Sequence, residues 1–193
     1  MSRTGGMIGE VDDALRELIR REALPRSKTE VSLGAPGREG DTPAVHLHLY
    51  DIREDLGRRR QGTVNEYSPD GTVTARRRPP RYIRLSYLVT VLARQPEEEH
   101  RLLDAILRAL LARDALPTDR LTGSLAELGL PVTMAVALPP PDDRALAEVL
   151  AASDAGLRPF VNVVISAPIM TEPPEPVAPP VTTPLAVRTE GLE

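Results

Sequence analysis

Two histidines, His46 and His48, stand two residues apart in a run of alternating apolar side chains. On a strand both imidazoles fall on one face and could address one metal ion. His100, or Glu97, Glu98 or Glu99, could supply a third ligand. No metal-binding spacing accompanies the pair, and two such histidines more often decorate a polar strand face. Two arginine triplets, Arg58, Arg59 and Arg60 and then Arg76, Arg77 and Arg78, carry the chemistry of phosphate or carboxylate recognition. Asp51, Glu54, Asp55 and Glu66 lie close to them in the chain. That mixture favours a balanced surface or a salt-bridged protein interface, where arginine is the enriched charge. Ser86, Ser124 and Ser166 lack the context of a nucleophile elbow. The glycine-rich stretch GAPGREGD does not follow the phosphate-loop pattern, and the only lysine, Lys28, precedes it. No catalytic set emerges, so the expectation is a protein that is not an enzyme and needs no cofactor or metal.

The elements that must position these residues are read from periodicity. Residues 44–52 alternate as a strand, with Val45, Leu47 and Leu49 on one face and His46, His48 and Tyr50 on the other. The strand delivers the charged segment 51–60, broken by Gly57, to the surface. Residues 7–24 form an amphipathic helix with Ile8, Val11, Leu15, Leu18 and Ile19 in one stripe, stopped by Pro25. Residues 30–33 are a short strand and 34–42 a loop. The SPDG turn predicts a hairpin of strands 64–67 and 72–75 between the two arginine triplets. Residues 81–94 are the clearest long strand, with a second half that turns apolar on both faces and so belongs at the centre of a sheet. A helix over 97–113 follows, then one helical turn near Leu125, a strand over 132–138, a helix over 142–152 and a last strand over 158–167. This order predicts an α/β (α+β) fold, a mixed, mostly antiparallel sheet with helices packed against it.

Composition narrows the function classes. The chain has 193 residues, 41% of them hydrophobic, enough for one substantial domain plus extensions. Aromatic residues make up 3%, too few for base-stacking surfaces, and the net charge of −4 does not indicate a general partner for nucleic acid. There is no cysteine, hence no disulfide or thiolate chemistry. No apolar run suits a membrane span, and acids come too early for a signal peptide, so a soluble protein made in the cytoplasm is expected. The proline-rich residues 169–193 read as an extended arm on a body of residues 1–168.

Four blocks carry a resemblance: IGEVDDALRELIRRE, VHLHLYDIREDLGRRR, RPPRYIRLSYLVTVLARQPEEEHRLLDAILRALLARDALP and LRPFVNVVISAPI. In this order they resemble the cap proteins of bacterial extracellular contractile injection systems, which are phage-tail-like particles. The resemblance covers most of residues 7–168 and leaves 61–75 and 118–141 unmatched. It implies a tail-terminator-like cap domain. Such a domain forms a homo-hexameric ring on the distal end of the inner tube and sheath, ends their growth and stabilises the extended sheath. The implied partners are further copies of the chain, the inner tube protein and the sheath protein, with no membrane and no cofactor. Arg58, Arg59, Arg60, Arg76, Arg77, Arg78, Asp51 and Asp55 are the expected interface residues, and the hairpin and the arm are the segments best able to reach a neighbour. The competing classes are an arginine-rich adaptor for nucleic acid or another polyanion, and a metal enzyme built on His46 and His48.

Overall fold

A computed structural model describes residues 6–35, 42–139 and 158–178. The helix expected over 142–152 and residues 36–41 of the expected loop lie outside these. The chain divides into two compact units, one of residues 1–59 and 80–169 and the other of residues 60–79 and 170–193.

The first unit is built on a five-stranded sheet. Its strands are β1 (Glu30–Leu33), β2 (Ala44–Glu54), β5 (Arg81–Leu92), β6 (Thr133–Val136) and β7 (Phe160–Ile169), in the order β1-β2-β5-β7-β6. Only the β1–β2 pair is parallel; the other three pairs are antiparallel, which is the mixed sheet expected. β5 is central, and every residue from Leu85 to Leu92 is buried. A strand enclosed on both faces must be largely apolar, and LSYLVTVL is.

Helices α1 (Met7–Leu18), α2 (Pro96–Leu111) and α3 (Gly123–Leu128) supply the core on one face. Val11, Leu15 and Leu18 of α1 and Leu102, Ile106 and Leu110 of α2 share one cluster with Val45, Leu47, Tyr87, Val89, Val163 and Ile165. Pro96 at the first turn and Glu97, Glu98 and Glu99 behind it start α2, since proline tolerates that position and the carboxylates meet the positive end of the dipole. The opposite sheet face is partly polar, carrying buried Ser86, Thr90, Asn162 and Ser166. Asn162 is satisfied on both sides: Tyr50 donates its hydroxyl to Asn162 Oδ1 at 3.1 Å, and Asn162 Nδ2 donates to the Leu138 carbonyl at 3.0 Å.

Regularity breaks at two points in this unit. In β2 the register steps from Leu49 opposite Tyr87 to Asp51 opposite Ser86, so Tyr50 is an extra, bulged residue. The simple alternation read from the sequence therefore ends at Tyr50. Asp51 and Arg53 align with Ser86 and Arg84, Ile52 and Glu54 with Leu85 and Ile83, and the strand continues to Glu54 instead of stopping at Ile52. At the end of α1 the chain continues as a π-helix over Ile19–Ala23, in place of the single continuous α-helix to residue 24 that the sequence predicts.

The second unit is the hairpin β3 (Val64–Tyr67) and β4 (Val73–Arg77), joined by β8 (Glu175–Pro176) in the order β3-β4-β8. The SPDG turn forms as expected. Gly71 N donates to Ser68 O and Ser68 N to Thr72 O, each at 2.9 Å, and Gly71 takes a φ of +84° that suits glycine. The strand after the turn is β4, running on to Arg77, past the expected end at residue 75. The start of the proline-rich arm pairs with it, Ala75 with Pro176 and Arg76 with Glu175, and Val177 N donates to Thr74 O at 3.0 Å. Pro176 is tolerated because β8 is an edge strand.

Candidate assembly interface

The segment that leaves β2 is held down by its own charges. Asp55 N donates to the Tyr82 carbonyl at 2.8 Å, and Asp55 Oδ2 accepts from the Ser166 hydroxyl at 2.8 Å. A single 3-10 turn, Leu56–Arg58, follows. Arg58 lies over the Tyr82 ring at 3.6 Å from its centroid and donates from an Nη to Thr133 Oγ1 at 3.1 Å. Asp55 and Arg58 thus tie the end of β2 to β5, β7 and β6. Arg59 Nε lies 3.6 Å from Glu54 Oε1, which also accepts from Arg81 at 2.7 Å. Asp51 is paired with Arg53 at 2.9 Å. Of this group only Arg60 is exposed without an ion pair among the described residues.

The second triplet divides in the same way. Arg77 Nε meets Glu66 at 3.3 Å across the hairpin, and Arg78 Nε meets Glu172 of the arm at 3.4 Å. Arg76 is exposed, and no ion pair engages it among the described residues. The expected arginine surface is thus two sets of internally matched charges with one open guanidinium each, Arg60 and Arg76.

The histidines do not form a metal centre among the described residues, where no three His, Cys, Asp or Glu side chains gather. His46 Nδ1 sits 3.0 Å from the Ser32 hydroxyl, and burial pushes its pKa below the ordinary imidazole value, with Glu30 opposing. His48 lies opposite Leu88 in the sheet. His100 is exposed on α2, the helix packed against the other sheet face.

Three charged groups have partners that the sequence reading did not assign. Glu10 of α1 is buried and caps α3 from a distance, accepting from Ser124 N at 3.0 Å, Ser124 Oγ at 2.9 Å and Leu125 N at 2.9 Å. This carboxylate takes the place of the side-chain cap that Thr122 does not provide. Glu99 is buried on α2 and accepts from Ala93 N at 3.2 Å and from Arg158. Glu22 accepts two hydrogen bonds from Arg113, each at 2.9 Å, and one from Arg120 at 3.2 Å. Nothing local in the sequence marks these pairs, because their partners lie far along the chain.

The described residues form a mixed, antiparallel-dominated sheet with helices on one face. The chain belongs to the Pvc16 N-terminal domain family, which matches residues 10–183. The resemblance carried by the four sequence blocks is therefore borne out. The fold is similar to that of the PVC sheath/tube terminator of an extracellular contractile injection system in its extended state. The TM-score is 0.70 at 20% identity, over 99% of this chain and 66% of that one. It is also similar to the anti-feeding prophage cap, a tube-terminating cap, with a TM-score of 0.60 at 19% identity, over 92% of this chain and 60% of that one. The chain thus spans just under two thirds of the first of these proteins and three fifths of the second. No curated protein matches the chain by sequence.

Proposed function

We propose that the chain is a structural cap, a tail terminator that closes the distal end of the inner tube and sheath of a contractile injection system. It stops their polymerisation and stabilises the sheath in its extended state. The observation that carries this reading is the match of 99% of the chain to a sheath/tube terminator fold, beside the chain's membership of the Pvc16 N-terminal domain family. The chain acts as a homo-hexameric ring, assembled in the cytoplasm, with the inner tube protein and the sheath protein as partners. Residues 1–168 act as the cap domain and 169–193 as an arm that reaches a neighbour.

Such a role needs no catalysis. It needs rigid surfaces that pair with a repeating partner, and a ring interface that closes by rotation. The segments around Asp51, Asp55, Arg58, Arg59 and Arg60 and around Arg76, Arg77 and Arg78 supply the interface. Within them, Asp55, Arg58, Arg59, Arg77 and Arg78 hold the local backbone, while Arg60 and Arg76 present charge to carboxylates of a partner. Three of the six arginines are paired with carboxylates and Arg58 is held by Tyr82 and Thr133, which favours a protein partner over nucleic acid.

The test is to co-express the tagged chain with tube and sheath proteins, purify by the tag and image the product. Extended particles with ring density at one end are expected. A double change, Arg60→Ser with Arg76→Ser, should weaken docking while leaving the purified chain folded. Recovery of the chain without tube or sheath would contradict the reading.

A further inference from the structure

The end of α1 is unusual, and the arginine triplets have no part in it. Over Ile19–Ala23 the helix is of the π type, and Leu24 N closes an i→i+5 bond to Ile19 O at 3.1 Å. This wide turn is rare and is frequent at functional sites. Arg20 and Arg21 follow Arg16 and Glu17 at the i,i+4 spacing that places side chains along one stripe. All four line a cleft of about 810 Å³ whose other wall carries Lys28, Thr29, Glu30 and Val31. Four cations meet two carboxylates there.

The charges are only partly matched. Arg16 pairs with Asp13 at 3.1 Å and Arg21 pairs with Glu17. Among the described residues Arg20 and Lys28 have no ion pair. The Nε of Arg16 is buried and has no hydrogen-bond partner. The wall of the cleft runs into β1, the outer strand of the five-stranded sheet, and no described strand pairs with its outer edge. Gly34 N donates inward to Leu47 O at 2.9 Å, so alternation along the strand turns the N–H groups of Val31 and Leu33 outward. Leu33 is itself exposed.

An open strand edge is a template for another chain, and the cations beside it select the charge of that chain. We propose that this edge and its cleft bind an extended acidic peptide strand of a partner protein. The strand adds alongside β1, and its carboxylates meet Arg20 and Lys28. A nucleic acid would use the cations and leave the edge unused. The site stands whether or not the chain caps a tube, so it is tested on the purified chain alone.

The probes are end-capped, fluorescently labelled peptides of about eight residues, one alternating Glu and Val and one alternating Lys and Val, together with a single-stranded oligonucleotide. Binding is read by anisotropy at low and high salt. The acidic peptide should bind at least roughly tenfold more tightly than the basic one, and the preference should reverse in the Arg20→Glu, Lys28→Glu double variant. Leu33→Pro removes one outward N–H without touching the ladder to β2 and should weaken the acidic peptide by a similar factor. N-methylation of alternate residues in the peptide tests the same ladder without altering the protein, and should also abolish binding. Equal binding of the two peptides, no binding, an N-methylated peptide that binds as well as its parent, or tighter binding of the oligonucleotide would each overturn the proposal.

Discussion

Arg58 and Arg59, which follow β2, and Arg20, which follows α1, look alike in the chain and are used differently. Arg58 is stacked on Tyr82 and bonded to Thr133, and Arg59 shares Glu54 with Arg81. Arg20 lines an open cleft with Lys28, and neither has an ion pair among the described residues. A run of charge in a sequence therefore counts cations but does not say which are available. Availability depends on whether a carboxylate, a ring or a hydroxyl from elsewhere in the fold already occupies the group. Matched charges hold segments in place, and unmatched ones wait for a partner.

The contrast can be broken by substitution, beginning with the largest expected effect. Glu10→Ala leaves Ser124 N, Ser124 Oγ and Leu125 N without their acceptor and should cost about 3 kcal/mol, read by urea unfolding. A side chain at Gly123, where φ is +53°, would collide with the same carboxylate, so Gly123→Ala should be harmful for both reasons. Arg58→Ala loses the ring contact and the Thr133 bond and should cost about 1–2 kcal/mol. Arg58→Lys should recover only part of this, because an ammonium cannot lie flat on Tyr82 while reaching Thr133.

A smaller effect concerns pH. Tyr87 is fully buried and donates its hydroxyl to Asp12 Oδ1 at 2.7 Å. Burial pushes the Asp12 carboxyl above its ordinary value, and the bond from Tyr87 only partly offsets this. The folded chain thus holds this proton more tightly than the unfolded chain. The resulting stability is fully present below the ordinary carboxylate pKa and is lost as pH rises through the raised folded value. Asp12→Asn should flatten that part of the stability curve, measured by thermal unfolding across acid pH. The smallest effect belongs to the unmatched charges: Arg20→Ser with Lys28→Ser should leave the unfolding midpoint unchanged within error. If that pair proves as costly as Arg58→Ala, the distinction between matched and unmatched charge fails.

How much of the molecule is legible in the sequence depends on the range of each interaction. The first helix, β2, β5, α2, β7 and the SPDG hairpin announce themselves through hydrophobic period and turn chemistry, which are local. The bulge at Tyr50 is not local: it is settled by the register between Leu49 opposite Tyr87 and Asp51 opposite Ser86. The partner of Arg58 lies 75 residues away and that of Glu10 lies 114 residues away, so no window along the chain contains both members. The arm is readable as extended, because proline excludes helix and central strand. Its pairing with Ala75 and Arg76 is not, since two-residue edge strands carry no periodicity. The arginines and aspartates expected at an interface are readable as charged; which of them the fold leaves unmatched is not.

The central claim is that the chain ends a tube and its sheath. The most direct measurement is the length distribution of particles imaged by electron microscopy from cells that make all particle components with or without this chain. Particles of uniform length with one ring-capped end are predicted when the chain is present, and scattered lengths with open ends and contracted or detached sheath when it is absent. Identical lengths and intact extended sheaths in both preparations would contradict the account.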